Sequence, residues 1–232
     1  MARFAVDGDR ITFDDGGMNL LSAEALRELR ASVEDRQSCL SSAGQAGLPV
    51  LHFRSGRPGL FAAGADMAEM QRFTPAEAEE FSRLGQTLFD AIERLPCLTV
   101  AEIDGDCFGG ALDLALAFDF RFATPRSHFS HPGARIGIAT GFGGTSRWRK
   151  VTGRSAANTL LLKNAVLSAG EALKIGLVDE VGDDHTASIE RLKAVDPLTV
   201  RFVKELTIHE ASLSRSQLLL LAERLGHLYF GR

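Results

Sequence analysis

The stretch LPCLTVAEIDGDCFGGALDLALAFDFRFAT, Leu95 to Thr124, decides the fold class. Pro96 stops whatever precedes it, and Leu98 to Ile103 (LTVAEI) reads as a short buried strand. Gly105-Asp106-Cys107-Phe108-Gly109-Gly110 is a glycine turn, ALDLALAFD an apolar helical segment, and FRFAT another strand. Strands alternating with helices through short turns imply repeated β-β-α or βαβ units, hence an α/β protein.

Upstream the pattern repeats. Pro49 to Arg54 (PVLHFR) is a buried-strand candidate, and Phe61-Ala62-Ala63-Gly64-Ala65-Asp66 is a second small-residue turn leading into a helix. Thr74-Pro75-Ala76-Glu77 opens the clearest helix: threonine caps it, proline takes the first position and glutamate the third. Phe81, Leu84, Leu88, Ile92 and Leu95 follow at helical spacing. FAVDGDRITFD alternates around Asp7-Gly8 as a β-hairpin. Ser22 caps a helix over SAEALRELRASVEDR, and Ser38 to Gly47 loosens into small residues. Downstream, Gly141 to Lys150 opens a helix, Ser168 to Glu171 caps another that Gly176 closes, and LVDEV is a last strand. From Pro197 onward the pattern is helical, with Leu218, Leu219, Leu221, Leu225 and Leu228 as an apolar stripe expected to be buried.

The 232 residues suffice for one sizeable domain. With 30 acidic against 26 basic side chains, the balance argues against a nucleic-acid partner. Cys39, Cys97 and Cys107 lack CxxC spacing and read as reduced thiols. No apolar run spans a membrane, the charged N-terminal stretch lacks a leader's apolar region, and a cytoplasmic location is expected. Asp104, Asp106 and Asp119 fit no metal-ligand spacing and read as turn and helix-end residues, so no metal is expected.

The two glycine turns are the candidate chemistry. Small residues there let a ligand approach the backbone, and amides from separate turns can face one oxygen. Glycine-rich strand-to-helix turns also occur for purely structural reasons. The order of segments adds to this. FAAGADMAEM, the stretch from Leu95 to Thr124, FSHPGARIGIATGFGGTSRWRKVTG and LSAGEALKIGLVDEV together resemble the enoyl-CoA hydratase/isomerase (crotonase) family over Leu48 to Val181.

That resemblance implies a crotonase-like spiral of β-β-α units over residues 1–184 and a shortened helical trimerisation region over 185–232. It implies an acyl-CoA substrate, coenzyme A entering only as part of it, no tightly bound cofactor, no nucleic acid or membrane partner, and a homotrimer or dimer of trimers. The oxyanion amides would be those of Ala65 and Gly110, with Ala63, Gly64, Asp66, Gly109 and Gly133 around the substrate. Arg54, and Arg57 beside it, would lie near the CoA phosphates, and Asp66 doubles as a helix cap.

Hydratases of the family carry two glutamates where this chain has Asp113 and Gly133. Adding water to an enoyl double bond needs the water activated while carbon receives a proton. Asp113 keeps one acid, as in dienoyl-CoA isomerases, and could otherwise be a hydrogen-bonded helix aspartate. His131 and Arg135 flank Gly133, and in an extended segment all three would share a face. His131 could then supply a titratable group and Arg135 could bind a carboxylate, while His128 is out of phase. The expected activity is a lyase or isomerase acting through a thioester enolate. The alternative is a catalytically weak acyl-CoA-binding homologue or assembly subunit.

Overall fold

The structure, a computed structural model, describes residues 3–42 and 50–209, together with 214, 216–217, 219–220 and 223. Two sheets grow side by side. Strand β4 (Val50–Ser55) is followed by β5 (Leu60–Ala62), β7 (Leu98–Ile103) by β8 (Asp106–Phe108), and β9 (Phe120–Ala123) by β10 (His128–Ser130). The first member of each pair joins a six-stranded sheet in the order β1-β2-β4-β7-β9-β12. The second joins a four-stranded sheet in the order β11-β10-β8-β5, where β11 is Val166–Ser168. Helices α3 (Pro75–Glu93), α4 (Gly110–Ala115) and α5 (Gly144–Lys163) follow these strand pairs, so the expected spiral of β-β-α turns is present.

The hairpin forms as its alternation predicts: β1 (Phe4–Asp7) pairs antiparallel with β2 (Arg10–Phe13), and β2 continues parallel onto β4. One face of the large sheet meets the four-stranded sheet through Phe53, whose ring lies 5.7 Å from Phe61 and 5.5 Å from Phe118. The other face presents Val50, Val100 and Phe122 to Ile189 of α7 (Thr186–Lys193). Strands covered on both faces read as apolar runs, which is why PVLHFR and LTVAEI were legible. Both expected capping boxes occur, Thr74 with Glu77 on α3 and Ser168 with Glu171 on α6 (Ala169–Lys174), and Gly176 follows at φ +71°.

Three expectations change. Helix α1 (Ala23–Ser42) does not loosen at Ser38. Leu26, Leu29, Val33 and Leu40 keep burying one stripe, and the Ser38 hydroxyl bonds back to the Glu34 carbonyl. LVDEV is strand only at β12 (Glu180–Val181), because the Asp179 carboxylate is spent on the Arg121 amide and guanidinium. Residues 131–135 are not extended: His131 precedes a 3-10 turn over Pro132–Ile136, so the alternation argument fails there. Of the tail stripe, Leu218, Leu221, Leu225 and Leu228 lie outside the described residues, and Leu219 is exposed. Helix α8 spans Pro197–His209, and no described helix is long and apolar enough to cross a membrane.

Burial pushes the Cys97 thiol up to about 12 and the Cys107 thiol well above its ordinary value, the latter helped by Asp113 and Asp106. Cys39 is exposed on α1. A chromogenic disulfide reagent at neutral pH should therefore titrate one thiol per native chain and all three after denaturation. Rapid reaction of more than one native thiol would contradict the packing around β7 and β8.

Candidate active site

The two glycine turns abut. Gly64 (φ +109°) and Gly109 (φ +54°) hold backbone conformations that L side chains resist. A Cβ on Gly64 would lie 2.8 Å from the Phe108 carbonyl oxygen and 3.3 Å from Gly110 N, and one on Gly110 would lie 3.4 Å from Ala65 N. Gly110 is the first residue of α4, where an N–H has no partner within the helix. Amides so placed can serve one shared oxygen.

Each turn is braced from behind. Buried Asn19 donates through Nδ2 to the Phe13 and Phe61 carbonyls and to Ser55 Oγ, which pins the start of the first turn. Asp66 caps α2 (Met67–Met70), accepting from the Ala68 and Glu69 amides at 3.0 Å each. The Gly109 amide donates to the Ser130 carbonyl at 2.9 Å, fixing the second turn to β10.

Both turns line a cavity of about 210 Å³. Ala63, Gly64, Ala65, Gly109, Gly110, Asp113, His131 and Gly133 all contribute to its wall. Met67, Met70, Phe81, Ile136, Ile138 and Phe142 make most of the remaining surface apolar. Phe142 is wedged between helix and turn: a Cβ on Gly85 of α3 would lie 2.1 Å from its ring, and one on Gly110 would lie 2.9 Å from it. Buried Arg147 holds the Phe142 carbonyl at 2.9 Å while its guanidinium pairs with Asp90 and with Glu93 at 3.0 Å.

Asp113 is 1% exposed and fully engaged. Oδ1 accepts from the Trp148 indole at 3.0 Å, Oδ2 accepts from the Thr140 hydroxyl, and His131 Nε2 stands 3.5 Å from Oδ2. A Cβ on Gly144 would lie 2.0 Å from Oδ1, so the carboxylate fills the space which that glycine leaves open. Gly133 is equally constrained: a Cβ there would come within 2.6 Å of the Ile138 carbonyl oxygen and 3.2 Å of His131 Cε1. No glutamate can be placed at 133 without moving the turn.

Other candidates fall elsewhere. Arg54 is exposed on β4 and lines a separate groove of about 560 Å³ with Arg10 and His52, apart from the cavity that the two turns line. No lysine or arginine is among the described residues lining the smaller cavity. Arg135 is exposed and outside it, because the 3-10 turn rotates it away from His131 and Gly133. His128 Nδ1 lies 3.2 Å from Asp106, while Asp104 pairs with Arg126 and Asp119 with Lys204, so the three acids sit in separate places. Sequence reasoning missed Thr140, Phe142, Arg147 and Trp148 as site-shaping residues. A glycine inside α3, at Gly85, was the available signal that a bulky group leans on that helix.

The family model for enoyl-CoA hydratase/isomerase matches residues 9–229. A crotonyl-CoA hydratase of Syntrophomonas wolfei is 42% identical over 121 residues, 52% of this chain and 46% of that protein. A probable mitochondrial enoyl-CoA hydratase 2 of Arabidopsis thaliana is 31% identical over 81% of this chain and 62% of its own length. The aligned part of this chain thus spans about half to three fifths of those relatives. Among solved structures, an enoyl-CoA hydratase from Bacillus anthracis superposes with a TM-score of 0.87 at 25% identity, covering 97% of this chain and 90% of that one. By the family match and the shared spiral, the chain belongs to the enoyl-CoA hydratase/isomerase family.

Proposed function

We propose that the protein processes acyl-CoA thioesters through an enolate, as a lyase or isomerase and not as a two-glutamate hydratase. The amides of Ala65 and Gly110 donate to the thioester carbonyl oxygen, and the Asp113–His131 pair handles the proton. The observation that carries this reading is the abutment of the Gly64 and Gly110 turns at the wall of one cavity that also contains both titratable groups. Charge that builds on the oxygen during enolisation is met by donors already in position, the largest common source of rate enhancement. Hydration is disfavoured because Gly133 offers no second carboxylate and the Ile138 carbonyl leaves no room for one.

The test is hydrogen–deuterium exchange at the α-carbon of butyryl-CoA in D₂O, followed by NMR, alongside calorimetric binding. Catalysed exchange is expected. Tight binding of enoyl, dienoyl, malonyl and hydroxyacyl thioesters without exchange or turnover would instead identify an acyl-CoA-binding homologue. The proposal extends to a homotrimer or dimer of trimers in a reducing cytoplasm. A single sedimenting monomer at micromolar concentration would remove the trimer.

A further inference from the structure

We propose that His131 is the group that moves the proton and that Asp113 is its positioning partner. This rests on the enolate reading above and assigns the roles within it. Asp113 and His131 are the only titratable side chains among the described residues lining the cavity. Cys107, whose thiol is pushed up by burial and by Asp113, is fully buried and outside the cavity wall.

The two are not equivalent. Asp113 accepts from the Trp148 indole on Oδ1 and from the Thr140 hydroxyl on Oδ2, with His131 Nε2 at 3.5 Å, so its oxygens are engaged by the protein. His131 presents a different arrangement. Its Nε2 faces Asp113, and its Cε1–Nδ1 edge borders Gly133, at 3.2 and 3.4 Å from where a Cβ would stand. The imidazole therefore occupies the space in which a side chain at 133 would begin. In the tautomer that carries its proton on Nε2, the nitrogen 3.5 Å from Oδ2, the lone pair is on Nδ1. A carboxylate that fixes the tautomer and orientation of an imidazole is a recurring device.

In the resulting step Nδ1 takes a proton from the carbon adjacent to the thioester carbonyl. The C–H electron pair becomes the enolate C=C bond, and the carbonyl π pair moves onto the oxygen held by Ala65 and Gly110. The imidazolium N–H exchanges with solvent, so in D₂O a deuteron is delivered back to the same carbon, which is the exchange measured; delivery to the vinylogous carbon of an unsaturated chain is isomerisation.

The experiment measures α-exchange of butyryl-CoA in His131→Ala, His131→Gln and Asp113→Asn across pH. His131→Ala should lose about 10²-fold or more and regain rate when free imidazole is added. His131→Gln should lose both the rate and the titrating limb of the pH profile. Asp113→Asn should slow exchange yet keep that limb, since the titrating group remains. If His131→Ala keeps its rate, or loses it beyond rescue while still binding butyryl-CoA, the assignment is wrong. It is equally overturned if Asp113→Asn abolishes the limb and His131→Gln retains it. Should His131→Ala fail to fold, His131→Gln carries the same comparison. Failure of the wild-type protein to exchange would instead defeat the enolate reading itself.

Discussion

Replacing Gly110 by proline is expected to slow α-exchange of butyryl-CoA by about 10²–10³-fold relative to Gly110→Ala, the usual effect of losing one oxyanion donor. Proline is tolerated at the first position of a helix, where its missing N–H costs the helix nothing. Position 110 is such a position. Either substitution adds a Cβ that meets the Phe142 ring at 2.9 Å, so alanine controls for that contact. Only proline removes the amide. Comparing the two separates loss of the amide from crowding at Cβ, and circular dichroism checks that each variant is folded. Equal rates in the two variants would take the Gly110 amide out of the chemistry.

The largest stability effect is expected at Gly105, between β7 and β8. Its φ is +93°, and a Cβ would lie 1.9 Å from the Gly59 carbonyl carbon and 2.0 Å from the Gly59 oxygen. Both partners are backbone, so no rotamer change relieves the collision. Local adjustment is also opposed by two bonds: Asp106 N to the Gly59 carbonyl at 3.2 Å, and Gly105 N to buried Ser127 Oγ at 3.1 Å. Gly105→Ala should lower the unfolding free energy by about 3–5 kcal/mol, within the range reserved for backbone strain and overpacking together. Gly8→Ala is the control, with φ +56° and nothing within 4 Å. It should cost only about 1–2 kcal/mol, from φ alone. Denaturant midpoints for the two variants test this. Equal losses would mean that successive turns of the spiral are not in contact at Gly59 and Gly105.

What was legible in the chain is what short-range physics dictates. The Asp7-Gly8 hairpin, the boxes at Thr74 and Ser168, and the glycine close at Gly176 depend on neighbours within a few residues, and all four occur. The glycine turns were visible as composition, but their contact was not. It arises because β5 and β8 are adjacent in one sheet, a relation between residues about 45 apart. Reading 131–135 as extended failed because Pro132 begins a 3-10 turn closed by Gly137 at φ +71°. That turn brings His131 to Asp113, and turns Arg135 outward. Trp148 and Thr140 gave no signal as partners of Asp113, because hydrogen bonds across 35 and 27 residues leave no mark in local periodicity. Arg54 lies apart from the two turns for a related reason. Its side chain alternates onto the face shared with buried His52, away from the face that Phe53 shares with the four-stranded sheet.

The most direct test of the central claim is a structure of the protein with butyryl-CoA bound. The thioester oxygen should lie about 2.7–3.1 Å from both Ala65 N and Gly110 N, the distance an oxyanion donor requires. The α-carbon should then face the imidazole of His131. A thioester oxygen bonded elsewhere, or an acyl group outside the cavity bounded by Phe142 and Phe81, would contradict the account.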